Sequence, residues 1–350
     1  MDQKRFNPTM FKFAREERGL SQKDLAHELD IQQSSVCKYE AGDMIPTTES
    51  LKKMCDFFGY QKDFFFQDDL PVYSGLVFHR KRASLGAKER LRLEAEARLR
   101  VMDVLYLFRK KRIESNVIPR MNREPEEMAQ ALRKYWNVND GPIDNVTKLL
   151  EDNHIAILSF PFKTAELDGF VLNLDNIICI ALNNDGCFPP DRQRFTLCHE
   201  LAHALLHQNV FPDKEIEKQA DTFAAEFLAP QSAIENDLAL PLTFERLEQL
   251  KRKWKMSMAS FVVRAHNTKK IPDVVYRRIM MFMSSRGLRK HEPECGLVPE
   301  MPTLLNNLIQ EFFTETQDAL SRLKLSESRF KDRYPEIKIG GLSEMSVGKE

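Results

Sequence analysis

Apolar positions in the first part of the chain recur at the spacing of short helices. Within residues 8–66 these stripes are interrupted by residues that start or stop helices. Ser21 followed by Asp24 is typical of a helix N-terminus, and Gly19 and Gly42 are typical of helix C-termini. The pattern therefore predicts a small all-helical domain.

The period changes in the middle of the chain. Three segments rich in β-branched residues, separated by turn signals, predict a small sheet: 154–160, 169–174 and 177–182. The remaining pattern predicts helices over these ranges: 86–113, two within 126–152, 191–208, 215–229, several more up to about 285, and one over about 302–325. The last residues, 333–350, are expected to be loosely ordered.

Composition limits the class of protein. The 350 residues include 42% hydrophobic ones, which suffices for two or three domains with buried cores. No apolar run reaches the length of about 18 residues that a membrane span needs, and the polar start MDQKRFNPTM does not resemble a signal peptide. Six cysteines form no C-x-x-C pair, which favours reduced thiols. We therefore expect a cytoplasmic protein.

Charge is balanced overall but unevenly placed. Residues 79–112 hold 12 basic and 4 acidic side chains, and residues 251–290 hold 12 basic side chains against Asp273 alone. Residues 1–60 hold 9 basic and 10 acidic side chains, so their bulk charge does not favour DNA. The basic segment 251–290 either contacts nucleic acid or forms a solvated helical face, and the sequence leaves both readings open.

The pentapeptide His199-Glu200-Leu201-Ala202-His203 carries the clearest chemical signal. On a helix it puts two imidazoles one turn apart, where they can share a zinc ion, and it puts Glu200 beside the open coordination position as a general base. Five-residue matches also occur by chance on surface helices. Here the flanking apolar residues Phe195, Leu201 and Leu205 predict that the helix is buried on one face.

A third ligand and an orienting partner follow on the next predicted helix. Glu217 can supply the carboxylate ligand, and Asp221, one turn further, can accept the second ring N–H of a ligand histidine. Glu226 is the competing third ligand, but nine residues of helix place it on the opposite face. Such a site accepts Zn²⁺, and manganese or iron remain alternatives.

Two neighbours of this motif carry less specific signals. His207 continues the one-turn ladder from His203, so it could line a substrate cleft or stabilise an oxyanion, or simply cap the helix end. Cys198 is expected to point away from the metal and to serve packing.

Several stretches resemble the ImmA/IrrE family of bacterial and phage metallopeptidases, over roughly residues 125–270. These stretches are PIDNVTKLLEDNHIAIL, DGFVL, IICIALN, RFTLCHELAHALLH and EKQADTFAAEFLAP. Ala202 departs from the glycine that is common in that family. The resemblance implies the metal ligands His199, His203 and Glu217, the general base Glu200, and a protein substrate that is typically a repressor.

Residues 8–66 resemble XRE-family, lambda-repressor-like DNA-binding domains through LSQKDLAHELDIQQSSVCKYEAGDMIPTTESLKKMCDFF. On that match Ser21–Glu28 is the first helix of a helix-turn-helix and Gln32–Glu40 is the recognition helix. The residues expected to face DNA are polar side chains that can bond base edges or phosphate: Gln32, Gln33, Ser34, Ser35 and Lys38. A helix-turn-helix used only for protein contact is the alternative reading.

Together these features predict a mainly α chain with an α+β catalytic domain, a thermolysin-like zincin with a small sheet. The expected divisions are a DNA-binding domain (1–70), a linker with a basic helix (71–124), a peptidase domain (125–285) and a helical extension (286–350). We expect a metallopeptidase that cuts a repressor, with DNA as second partner and homodimerisation left open. The alternative is a DNA-binding regulator whose metal domain senses a signal without turnover.

Overall fold

A computed structural model describes residues 5–67, 85–118, 123–174, 176–186, 188–207, 213–238, 240–289, 291–337 and 340. The start of the predicted linker, residues 71–84, and most of the tail 333–350 lie outside the described residues. The α-helices in chain order are α1 (Pro8–Glu17), α2 (Gln22–Glu28), α3 (Gln33–Ala41), α4 (Thr48–Phe58), α5 (Ala87–Lys111), α6 (Pro125–Tyr135), α7 (Val146–Asp152), α8 (Pro190–Leu206), α9 (Lys214–Leu228), α10 (Gln231–Ile234), α11 (Phe244–Trp254), α12 (Met258–Asn267), α13 (Asp273–Ser285), α14 (Leu304–Phe312), α15 (Thr316–Leu323) and α16 (Glu327–Arg333). The strands are β1 (Ala156–Phe160), β2 (Gly169–Leu174) and β3 (Ile177–Asn183).

The described residues fall into two compact units. One unit contains those within Met1–Tyr73, Leu85–Ile113 and Thr303–Glu350, and the other is formed by Glu114–Pro302. The first unit is helical throughout its named elements, whereas the second contains the sheet. The mainly α fold with an α+β second part is therefore confirmed.

The N-terminal helices of the first unit form where their sequence signals predict. Ser21 and Asp24 make the reciprocal capping box at the start of α2, and Gly42 ends α3 in a left-handed conformation with φ of 79°. The recognition helix begins at Gln33, with Gln32 as its N-cap residue. Phe11 and Tyr39 pack edge to face at a centroid distance of 6.0 Å, which ties α1 to α3 in a buried core.

The C-terminal helices complete this first unit through a buried polar network. Arg333 of α16 donates a 2.6 Å hydrogen bond to Asp103 of α5, and Tyr334 donates one of 2.7 Å to the same carboxylate. Tyr60 donates to Glu17 at 3.0 Å, and Glu17 also forms an ion pair with Arg329. Because buried charges persist only when they are paired, this network fixes α16 against α1 and α5.

The single helix predicted over 302–325 is wrong, because the structure has two helices there, α14 and α15. The chain leaves helical geometry at Phe313, whose backbone is extended (φ −128°, ψ 119°). This turn buries the Phe313 ring, which stacks on Tyr106 of α5 with centroids 6.3 Å apart. Tertiary packing of one aromatic ring therefore overrides the local helical pattern.

The second unit is built around the sheet, whose strand order is β1-β3-β2. β3 is parallel to β1 and antiparallel to β2, and all seven of its residues are buried. The helix α8 packs on β2 and β3, and α9 packs on α8. This arrangement presents α8 with one face toward the sheet and another toward α9, which is where its histidines lie.

Two expectations about the whole chain can be compared with the described residues. No described helix has the length and apolar character that crossing a membrane would require. The five described cysteines, at positions 37, 55, 179, 198 and 295, are all free thiols.

Candidate metal centre

The helix α8 supplies two histidines to one cluster. Pro190 occupies its first turn, where the missing N–H costs nothing, and its apolar face is buried through Leu197 and Leu201. His199 and His203 lie one turn apart on the same side. His203 is only 2% exposed. Its ring nitrogens are therefore buried and need hydrogen-bond or metal partners.

The side chain of Glu217 on α9 joins these two histidines. The Nε2 atoms of His199 and His203 lie 2.9 Å apart, and each lies 3.7 Å from a carboxylate oxygen of Glu217. The three ligand atoms all lie within 4.8 Å of one another.

This donor set fits a tetrahedral metal ion. Ligands about 2.0–2.1 Å from a zinc ion are about 3.4 Å apart at the tetrahedral angle, close to the observed separations. Two neutral imidazoles and one carboxylate are also the ligand types of catalytic zinc sites that keep one position open. The chemistry and spacing of these residues therefore fit the metal that the sequence predicts.

Asp221 contacts His199 at the ring nitrogen that does not face the metal cluster. Its Oδ1 lies 2.9 Å from Nδ1 of His199, which leaves Nε2 directed toward the cluster. Burial lowers the pKa of His199, but the hydrogen bond from Asp221 and the nearby carboxylates of Glu200, Asp221 and Glu217 raise it by more, so the net pKa is raised. An electron-rich, carboxylate-bound imidazole of this kind is a strong ligand.

Glu200 lies beside the cluster in a cavity of about 230 Å³. It is 5% exposed and lies on α8 next to His199. The cavity combines apolar walls with these charged groups and is lined by Leu167, Asp168, Gly169, Phe170, Arg192, Phe195, Thr196, His199, Glu200, Glu217 and Asp221. The predicted base and two of the predicted ligands thus share one cavity.

Gly169, at the start of β2, allows this strand to approach α8 closely. A Cβ atom added there would lie 2.8 Å from Cγ2 of Thr196 and 2.9 Å from the backbone oxygen of Ala181. It would also lie 3.6 Å from Cγ of Glu200. The glycine in the DGF sequence was the only signal of this approach, and sequence reasoning did not use it.

An ion pair at the cavity also escaped the sequence analysis. Arg192 donates two hydrogen bonds to Asp168, of 2.7 and 2.8 Å, and its guanidinium lies 4.7 Å from the ring centroid of Phe188. These residues are separated by up to 24 positions, so no local pattern indicates the pairing. The bidentate geometry fixes an arginine at the edge of the cavity.

The other residues weighed near the motif lie elsewhere. Glu226 is buried, accepts a 2.9 Å hydrogen bond from Gln130 and forms an ion pair with Arg264, away from the three-residue cluster. Cys198 is fully buried, and this burial raises the pKa of its thiol to about 12. His207 is 4% exposed and is absent from the cavity lining, because it lies behind His203.

The residues expected to face DNA lie on the outer side of α3. Gln32, Gln33, Ser34 and Lys38 are exposed and Ser35 is half-buried. Glu40, which the sequence analysis did not single out, accepts hydrogen bonds from Arg15 at 3.1 Å and from Gln22 at 2.9 Å. These bonds fix the recognition helix to α1 and α2, so that its outer face keeps one orientation.

The basic segment 251–290 offers fewer cations for contact with nucleic acid than its net charge indicates. Lys251 is buried between Asp191 and Glu292, at 2.8 and 2.9 Å. Ion pairs with acidic residues of the same unit also engage Arg252, Lys253, Lys255, Arg264 and Lys270. The buried Lys251 and Arg264 therefore belong to the packing of the unit, whereas the other four pairs are partly exposed. A nucleic acid contact would draw first on the exposed Lys269 and on the arginines of α13 and its C-terminal end.

Comparison with protein families agrees with the geometry of both units. Residues 150–266 match the peptidase M78 family, described as the IrrE N-terminal-like domain. Residues 11–65 match a helix-turn-helix family. Among curated proteins, none matches the chain in sequence.

Proposed function

We propose that this chain, in which an XRE-type helix-turn-helix domain precedes an ImmA/IrrE-type metallopeptidase domain, is a regulatory endopeptidase that cuts a DNA-binding repressor. The observation that supports this best is the grouping of His199, His203 and Glu217, two of which line one cavity together with Glu200. A spare coordination position and an adjacent carboxylate are the two requirements of metal-assisted peptide hydrolysis.

His199, His203 and Glu217 would hold the metal ion. When bound, such an ion polarises the scissile carbonyl and makes water more acidic. We propose zinc because two imidazoles and one carboxylate are common zinc ligands, and manganese or iron accept the same set.

Glu200 would move the proton. As water attacks the carbonyl carbon, the carboxylate of Glu200 accepts one of its protons and later passes it to the amine that leaves. Its burial at the cavity wall excludes bulk water, which strengthens its interaction with the charges that develop there. Asp221 would orient His199 through its 2.9 Å hydrogen bond.

The helix-turn-helix domain would bring the peptidase to its substrate. A repressor bound near the same operator is concentrated there, so tethering raises the rate of encounter without new contacts. Gln33 can bond an adenine edge with two hydrogen bonds, and Lys38 can reach guanine or phosphate. Gln32, Ser34 and Ser35 complete the proposed DNA-facing surface.

Replacing Gln33 and Lys38 together by alanine should abolish specific operator binding in a gel-shift assay. Each good base contact contributes about 1–3 kcal/mol of discrimination, so losing two should lower the affinity at least about 30-fold. Lys52→Ala, an exposed change on α4 rather than on the recognition helix, is the matched control. Undisturbed binding by the double variant would move DNA recognition elsewhere, with the arginines of α13 as the next candidates.

The second candidate function is a DNA-binding sensor that binds a metal without turnover. A reporter gene under the repressed operator separates the two. If the chain acts as a peptidase, the Glu200→Gln variant should bind DNA normally but fail to relieve repression. Relief of repression by Glu200→Gln at the wild-type level would favour the sensor and overturn the proposed function.

A further inference from the structure

A buried histidine lies behind the metal ligand candidate His203 and does not take part in the proposed hydrolysis. His207 ends α8, one turn after His203, and its Nδ1 lies 3.0 Å from Nδ1 of His203. On its other side, Nε2 of His207 lies 2.9 Å from Oε1 of Gln219 on α9. The side chains of His203, His207 and Gln219 therefore form a continuous series of contacts that ends at the metal cluster.

The chemistry of these groups fixes which atom donates and which accepts in each of the two hydrogen bonds. The Oε1 atom of Gln219 can only accept, so Nε2 of His207 must carry a proton and donate to it. In a neutral imidazole the other nitrogen is then an acceptor, so Nδ1 of His207 accepts from Nδ1 of His203. His203 consequently carries its proton on Nδ1 and its lone pair on Nε2. That Nε2 is the atom 2.9 Å from Nε2 of His199 and 3.7 Å from Glu217.

We propose that His207 and Gln219 are positioning residues that hold His203 in the tautomer and ring orientation that binds the metal. The inference rests on the proposed function, because it requires that the cluster binds a metal ion. It gives His203 a counterpart to the Asp221 carboxylate that contacts His199. The helix α9 would then supply a ligand, Glu217, the orienting group Asp221 for His199, and Gln219, which acts on His203 through His207.

The choice of a neutral partner for His203 has a physical reason. The Asp221 side chain is 60% exposed, so water solvates its charge while it holds His199. His203 and His207 are only 2% and 4% exposed, and a carboxylate at position 207 would bury a further charge at high cost. A neutral histidine followed by a neutral amide accepts the hydrogen bond without that cost.

The test is the Zn²⁺ affinity of the full chain, measured by competition with a chelator at constant pH. His207→Leu keeps an apolar side chain but removes the acceptor, so the affinity should fall about 10- to 100-fold, as is typical when such orienting partners are lost. His207→Asn places an amide oxygen where Nδ1 was and should restore most of the affinity. Gln219→Leu should weaken binding less, while its exposed neighbour Lys218→Leu serves as the matched control.

Thermal unfolding of the metal-free variants separates positioning from structural support. We expect His207→Leu and His207→Asn to have similar metal-free stability but different Zn²⁺ affinities. Wild-type affinity in His207→Leu would overturn the inference, as would a loss that His207→Asn fails to restore. If His207→Leu does not fold, an unchanged affinity in Gln219→Leu overturns it. A wild-type chain that binds no metal would contradict the proposed function itself, whereas wild-type binding that the variants share would contradict only this inference.

Discussion

Replacing Glu200 by glutamine is expected to slow peptide hydrolysis by about 10²- to 10⁴-fold, the usual contribution of a positioned general base. Glutamine keeps the size and shape of the side chain in the cavity, so neighbouring atoms need not move. It cannot accept the proton that water loses as it attacks the carbonyl carbon. Because Glu200 is not among the three grouped ligand candidates, the metal content should stay the same.

The measurement is the single-turnover cleavage rate with metal content determined on the same samples. Glu215→Gln, an exposed change in the first turn of α9, controls for removal of a negative charge near the site. A Glu200→Gln variant that cleaves at the wild-type rate would assign the proton transfer to another group. A variant that loses its metal would make Glu200 a ligand.

Replacing Glu217 by glutamine is expected to have the second large effect, a loss of metal affinity exceeding about 100-fold. Loss of an orienting partner typically costs about 10- to 100-fold, and loss of a ligand should cost more. The carboxylate of Glu217 is 3.7 Å from both ligand nitrogens and is the one anionic member of the grouped set. A neutral amide in its place lacks the charge that offsets the charge of the ion.

Chelator competition with Zn²⁺ measures this effect, and Glu215→Gln on the same helix is again the matched control. Cleavage should fall in parallel with metal content and should recover in part at high Zn²⁺ concentration. Retention of wild-type affinity in Glu217→Gln would exclude Glu217 as the third ligand. Because Glu226 is engaged with Arg264 and Gln130, that outcome would require a different carboxylate.

The sequence predicts those parts of the site whose residues lie only a few positions apart in the chain. His199 and His203 must lie on one helical face because they are four residues apart, and Glu217 and Asp221 repeat that spacing on the next helix. The β-branched segments likewise predict the three strands, because β-branched content and turn residues act over a few positions. The recognition helix was placed within one residue of its observed start.

The parts that the sequence does not predict depend on residues far apart in the chain. Gly169 matters because Thr196 and the backbone of Ala181 approach it in space. The pairing of Asp168 with Arg192, and of His207 with Gln219, arises from the packing of separate elements. The break between α14 and α15 follows from burial of the Phe313 ring, which no local propensity encodes.

The charge of segment 251–290 also depends on residues that lie far away in the sequence. Twelve basic residues with one acid suggest a nucleic acid surface, but acidic residues outside the segment pair with six of these cations. Asp191 reaches Lys251 across 60 positions, and Glu226 reaches Arg264 across 38. Net charge within a window therefore overstates the charge that a partner can contact.

The central claim is that the metal cluster hydrolyses a peptide bond in a repressor. The most direct test incubates the purified, zinc-loaded full chain with a purified candidate repressor and follows intact masses. The account predicts two fragments that sum to the repressor plus one water, no cleavage after chelation, and recovery when zinc returns. A zinc-loaded chain that relieves repression while the repressor keeps its full mass would contradict it.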